Sequence, residues 1–242
     1  MALYKQTVLG PLWYVVQPLL TTVVFTVVFG RIASLPTDEL PQFLFYMSGI
    51  VIWTYFAGCL TKVSLTFISN TQLFGKVYFP RQTVPLSLVV SNLITFAVQL
   101  ALLMGFIVYF VIVGGAVHPN AYALLLPVLV LMTAALGLGA GLVVTSVTIR
   151  YRDLQYLLTF GVQLAMFLAP VVMPLSSVHG KLRWLMIANP MTSIVESFRF
   201  GLLGAGEVNP WQLAFSAGVA VALCVVGLGL FNRVERTFMD SV

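Results

Sequence analysis

Long uncharged stretches, separated by short clusters of charge, divide this chain. Residues 6–30 hold no Asp, Glu, Lys or Arg, and Arg31, Asp38 and Glu39 with two nearby prolines then mark a short loop. Residues 40–61 are again uncharged, and Lys62, Lys76 and Arg81 punctuate a more polar stretch. Residues 82–149 contain no charged residue at all. About 20 residues cross a bilayer core, so this run is too long for one helix. The turn His118-Pro119-Asn120 divides it in two. Residues 154–180 form another uncharged run, residues 181–207 are mixed, and residues 208–232 close the series. Unbroken apolar runs predict helices, whereas barrel strands would alternate apolar and polar positions in short segments. The pattern predicts an all-α integral membrane fold in a single transmembrane domain over 1–242. Its six spans are expected at about 9–30, 40–61, 84–114, 122–148, 154–177 and 209–232.

Two segments are not simple spans. Residues 62–81, KVSLTFISNTQLFGKVYFPR, are too polar to cross and too apolar to float freely. An amphipathic helix at the membrane interface fits them. Residues 178–207 read as two short helices broken at Asn189-Pro190, because proline ends the helix before it. The second helix places Met191, Ile194, Val195, Phe198 and Leu202 on one face. Glu196 and Arg199 sit three apart, close enough to pair. The segment is either a surface hairpin or a re-entrant pair. Pro170 and Pro174, in P-V-V-M-P, precede it and serve either as a helix end or as a hinge for an outer gate.

Composition sharpens the class. Hydrophobic residues make up 60% of the chain and charged residues 8%, against roughly 25% charged in soluble domains. The net charge of +5 fits an excess of Lys and Arg in cytoplasmic loops and needs no nucleic-acid partner. Six spans put both termini on one side. With Lys5, Lys62, Lys76, Arg81, Arg150, Arg152, Arg233 and Arg236, that side holds 8 of the 12 basic residues, so both termini are expected in the cytoplasm. Cys59 and Cys224 lie in apolar stretches and read as small buried hydrophobes. The N-terminal run is too long for the apolar core of a signal peptide.

The chemistry present is sparse. No P-loop motif occurs, since Gly75-Lys76 lacks both the upstream glycine and the following Ser or Thr. No carboxylate falls inside an expected span, which weighs against an ion-coupled transporter. His118 and His179 lie in expected outer loops, and no metal-binding motif or paired carboxylates appear. What remains is a conduit. The first span carries Tyr14, Gln17, Thr21 and Phe25 at helical spacing, the second offers Tyr46, Trp53 and Phe56, and the fifth offers Tyr156, Gln163 and Phe167. Aromatic faces beside amides and hydroxyls suit sugar rings. Polar residues also join helices, and aromatic residues also anchor at interfaces.

Four segments together resemble the permease subunits of type-2 ABC exporters, in the branch that exports polysaccharides. They are Tyr4-Lys5-Gln6-Thr7-Val8-Leu9-Gly10-Pro11-Leu12-Trp13, Lys76-Val77-Tyr78-Phe79-Pro80-Arg81, Arg150-Tyr151-Arg152-Asp153-Leu154, and Asn189-Pro190-Met191-Thr192 through Glu196-Ser197-Phe198-Arg199. They span nearly the whole chain in family order. The resemblance implies a homodimer of six-helix subunits in a bacterial cytoplasmic (inner) membrane, working with two copies of an ATP-binding ABC subunit. The cargo it implies is a lipid-linked polysaccharide of the O-antigen, capsule or teichoic acid type. ATP and Mg would be held by the partner, with no cofactor bound by this chain and no catalytic or metal site. Residues 62–81 match the family's coupling region. Gln72, Lys76, Tyr78 and Arg81 are the expected ATPase contacts, aided by Arg150, Arg152 and Asp153. Residues 178–207 match its outer gate helices, with Pro170, Pro174, Asn189, Pro190, Glu196 and Arg199 as gate residues. Family members usually carry an amphipathic helix ahead of the first motif, where this chain reads Met1-Ala2-Leu3-Tyr4. Other readings remain: an ABC permease for a drug or small lipid, a membrane-embedded glycosyltransferase, or a passive channel.

Overall fold

The structure is a computed structural model and describes residues 12–69, 82–148 and 153–239. It is a bundle of helices, with no strand among the described residues. Helix α1 (Trp13–Phe25) widens into a π-type coil over Thr26–Ile32, and α2 (Gln42–Ser64) is followed by one short turn, α3 (Thr66–Ser69). Then come α4 (Thr83–Ile112), a 3-10 turn (Ala121–Leu125) leading into α5 (Leu126–Thr148), and α6 (Leu154–Phe167). The short α7 (Lys181–Ala188) and α8 (Pro190–Leu203) precede α9 (Pro210–Met239).

Among the described residues, five helical stretches are long and apolar enough to cross a membrane: Trp13–Ile32, Gln42–Ser64, Thr83–Ile112, Ala121–Thr148 and Pro210–Arg233. Helix α6 is shorter. Its 14 residues reach about 21 Å at 1.5 Å each, less than the roughly 30 Å hydrocarbon core. The expected fifth span ran to residue 177, but helix geometry stops at Phe167. Pro170 has no N–H to continue the ladder and pushes the residue before it out of the helical region. Of the expected interfacial segment, only residues 62–69 are described. There α2 continues to Ser64 before α3.

Helix α2 is the hub. Side chains from Leu44 to Trp53 are buried without a break, because α1, α4, α5, α6 and α8 all pack on it. Helix α4 turns one stripe inward: Pro85, Val89, Asn92, Phe96, Gln99, Leu103 and Ile107. Steps of three and four residues keep that stripe on one side of the helix. Its two polar members each meet a need. Pro18 in α1 has no N–H to give the Tyr14 carbonyl, and Gln99 Nε2 donates to that carbonyl at 3.5 Å. Asn92 Nδ2 donates to the Tyr55 carbonyl at 3.1 Å, while its Oδ1 accepts from Lys62 Nζ at 2.8 Å.

Glycines let α5 lie against two helices at once. A Cβ on Gly137 would fall 2.6 Å from Cys59 Cβ, and one on Gly141 would fall 2.7 Å from Val63 Cβ, both on α2. On another face, a Cβ on Gly139 would fall 2.6 Å from the Cys224 nitrogen of α9. Lipid is as apolar as a leucine side chain, so helices in a membrane associate through close packing of this kind.

Candidate translocation groove and outer seal

The densest chemistry surrounds α8. Asn189 caps this helix, its Oδ1 accepting from the Met191 N–H at 3.0 Å, with Pro190 in the first turn. Asparagine at the cap and proline just inside it are favoured because the first N–H groups have no helical partner. Gly204, at φ 85°, ends the helix and returns its N–H to the Phe200 carbonyl at 2.9 Å. A left-handed residue there favours glycine, and a Cβ would also strike the His118 carbonyl. The apolar face expected at Met191, Ile194, Val195, Phe198 and Leu202 is buried in the core, and the polar face is buried with it, because α8 is enclosed continuously from Met191 to Arg199. It packs among α2, α5, α9 and the Ala121–Leu125 turn.

Within that enclosure sits an ion pair. Arg199 Nη1 donates to Glu196 Oε1 at 3.4 Å, with both side chains essentially out of reach of solvent. The guanidinium also donates to the Pro170 carbonyl at 2.7 Å and to Ser48 Oγ at 3.4 Å, and it lies 3.8 Å over the Phe45 ring. Glu196 accepts the Leu175 N–H at 3.2 Å through one oxygen and the Glu207 N–H at 3.1 Å through the other. Burial pushes the Glu196 carboxyl above its usual range while Arg199 opposes the rise; burial likewise lowers Arg199. A buried ion pair holds only when its remaining donors and acceptors are satisfied. Here two peptide N–H groups, a carbonyl, a hydroxyl and a ring satisfy them.

The expected pathway residues separate into three places. Trp53 and Phe56, with ring centroids 5.3 Å apart, line a groove of about 400 Å³ that Asn189 and Pro190 also line. Its other walls are apolar side chains of α5 to α9 such as Leu168, Leu185 and Met191. Phe25 and Tyr46 belong to an aromatic cluster instead. Phe25 meets Phe29 and Tyr46, and Phe29 meets Phe167 of α6, with centroids 5.1 to 6.4 Å apart. Tyr46 is fully buried, and its hydroxyl has no hydrogen-bond partner among the described residues. Gln17 and Gln163 are exposed, and Tyr14 and Thr21 are half-buried on α1. Thr21 Oγ1 donates to the Gln17 carbonyl. Pro170 and Pro174 lie buried in the bend between α6 and α7.

Several residues that bind this site together escaped the sequence reading. Ser48, Phe45 and Leu175 reach the ion pair, and Arg183 pairs with Glu207 at 2.7 Å. A buried Arg always needs partners, but those partners lie on other elements, so no local spacing reveals them. Among the described residues, no group of three His, Cys, Asp or Glu side chains could hold a metal.

The profile of the ABC-2 type transporter family matches residues 1–203. The chain belongs to the ABC-2 type transporter family. It is also 26% identical over 238 residues to an O-antigen export system permease protein RfbA of Klebsiella pneumoniae, covering 98% of this chain and 89% of that one. A protein of the same name from Myxococcus xanthus is 28% identical over 246 residues, covering 100% and 91% respectively.

As an ABC-2 transporter chain, this is a multi-pass membrane protein and a transport subunit. At one end of its bundle, two polar ties hold α4 in place. One is Lys62 on Asn92, and the other is Gln82 Nε2 on Asn232 Oδ1 at 2.7 Å. Lys62 and Gln82 bracket the segment expected to receive the ATPase. Gln72, Lys76, Tyr78, Arg81, Arg150 and Arg152 lie outside the described residues. Asp153 is exposed just ahead of α6, where its carbonyl accepts the Tyr156 N–H.

Proposed function

We propose that this chain is the transmembrane subunit of an ATP-driven exporter of a lipid-linked, O-antigen-like polysaccharide. The observation that carries the reading is the end-to-end likeness to relatives named O-antigen export permeases, on a chain that belongs to the ABC-2 family. Two copies of the chain pair in a bacterial cytoplasmic membrane, with six spans each and both termini in the cytoplasm. Two copies of a separate ATP-binding subunit dock on residues 62–81 and 150–153 and hold ATP and Mg. The conduit lies between the copies. Trp53 and Phe56 offer stacking surfaces, Tyr14, Gln17, Thr21 and Gln163 offer polar groups, and Phe25, Tyr46 and Phe167 back them. Stacking tolerates any register along a sliding sugar chain. A polymer longer than the membrane is thick needs such a continuous path, closed on the outside by the segment 178–207.

A specific observation favours a second reading. The groove at Trp53 is walled almost wholly by apolar side chains, which also suits a drug or a small lipid. One experiment decides between them. In a bacterium lacking its own polysaccharide permease, this chain and its ATPase should restore polymer at the cell surface. Dye efflux without surface polymer would establish the second reading instead. For topology, cysteines placed by Asp240→Cys and Asn120→Cys should react from opposite sides of the membrane; reaction from one side only refutes the six-span arrangement.

A further inference from the structure

The outer seal contains two parts held by different forces. Helix α8 belongs to the main core: Met191, Ile194, Val195, Phe198 and Leu202 pack in one cluster with the buried residues of α2, α4 and α5. Side-chain and backbone ties reinforce it. Ser193 and Ser216 of α9 share a hydrogen bond at 2.7 Å, and Asn120 Nδ2 holds the Phe200 carbonyl at 3.0 Å. Residues 173–188, by contrast, close on a separate small core of Leu175, Val178 and Met186, flanked by Met173 and Ile187. Helix α7 in this part buries only Met186.

Polar contacts link the small core to the rest. Arg183 pairs with Glu207 at 2.7 Å, Ser176 Oγ bonds Asp38 Oδ1 at 2.7 Å, and the Leu175 N–H rests on Glu196. The chain flanking this part is tied at its base, where Asn189 Nδ2 donates to the Leu168 carbonyl at 3.2 Å. A part with its own apolar core, a tied base and polar attachments can swing without exposing the main core. Its released surface groups are hydroxyl, carboxylate, guanidinium and peptide N–H, which water can satisfy. Glu196 keeps Arg199 and the Glu207 N–H when Leu175 leaves, and the Thr192 Oγ1 bond to the Met186 carbonyl lies beside the pivot at Asn189. Its inner side, at Leu185 and Ala188, walls the Trp53 groove.

We propose that residues 173–188 form the moving cap of the outer seal, with Arg183–Glu207 and Ser176–Asp38 as its latches, while α8 is a fixed wall. The inference rests on the reading of 178–207 as an outer gate and relocates its motion. The test uses the whole export system in cells, with Cys59 and Cys224 replaced by alanine. One variant carries Asp38→Cys with Ser176→Cys, bridged by a short reducible bis-thiol reagent. The other carries Ser193→Cys with Ser216→Cys, oxidised to a disulfide between α8 and α9. Bridging the first pair should abolish export until reductant is added, and bridging the second should leave export unchanged. If only the second bridge stops export, or if both do, α8 moves and the cap assignment is wrong while the gate stands. If neither stops export, the gate reading fails with it. A second measurement does not depend on the engineered bridges. With Met191→Cys as reporter on the groove, Arg183→Glu or Glu207→Arg alone should speed labelling by an impermeant maleimide about two- to fivefold, the range a part-exposed ion pair can move an equilibrium. The double reversal should return it to the starting rate. Labelling that ignores all three changes overturns the latch.

Discussion

Helices α2 and α6 are both apolar and both uncharged through their middle, yet they live in opposite surroundings. In α2 most of the span is buried, and in α6 no residue is. Hydrophobicity does not separate them, since lipid accepts an apolar side chain as readily as a protein core does. Recesses and polar contacts do. A Cβ on Gly49 of α2 would fall 3.2 Å from Arg199 Nη2, and one on Gly58 would fall 2.5 Å from Asn92 Nδ2. These glycines leave space that a neighbour's polar group fills. Gly161 of α6 has nothing within 4 Å. In a bilayer, then, apolar length marks what leaves water, and small residues facing polar ones mark which helices meet.

Substitutions along the two helices and their partners can break this contrast. Removing the guanidinium that fills the recess at Gly49 should have the largest effect. Arg199→Met leaves Glu196 buried without its counter-charge and should cost about 3–5 kcal/mol, read as a lowered unfolding midpoint in detergent. Adding Glu196→Gln should recover part of that loss. Gly137→Ala comes next. Helix propensity favours alanine by up to about 1 kcal/mol, but the methyl would collide with Cys59, and overpacking costs about 1–3 kcal/mol. Net destabilisation is expected; a stabilised protein would show that α2 and α5 do not touch. Asn92→Leu should cost about 1 kcal/mol, the scale of interhelical hydrogen bonds in membranes, and should raise the solvent reactivity of the Lys62 amine. Gly161→Ala should be the mildest, neutral or stabilising by up to about 1 kcal/mol. If it instead destabilises the assembled transporter, α6 packs against a second copy there, and the contrast holds only for the single chain.

Much of the helical layout could be read from charge alone. The uncharged runs at 40–61, 84–114 and 122–148 overlap α2, α4 and the stretch through α5, because charge is what a bilayer excludes most strongly. The break between α7 and α8 was equally local, since Asn189-Pro190 carries its own cap chemistry. The inward side of each helix was not legible. Tyr46, about two turns along α2 from Trp53 and about three from Phe56, reads as the same kind of aromatic residue, yet it is wholly enclosed while they line a groove. The glycines of α5 also passed unread, because a glycine shows its purpose only once the opposing backbone is known. The Glu196–Arg199 pair was visible from its spacing of three, but its enclosure depends on Ser48, Pro170 and Leu175.

The Arg199–Ser48 contact joins residues 151 positions apart, and that distance bears on how the chain is made. At about 5–20 residues per second, roughly 8 to 30 s separate the synthesis of the two. During that interval α2 exists without its partner, with a serine hydroxyl and a glycine notch awaiting a guanidinium. A nascent chain released before position 199 would leave that notch open, as a mark by which quality control could tell an unfinished bundle from a closed one.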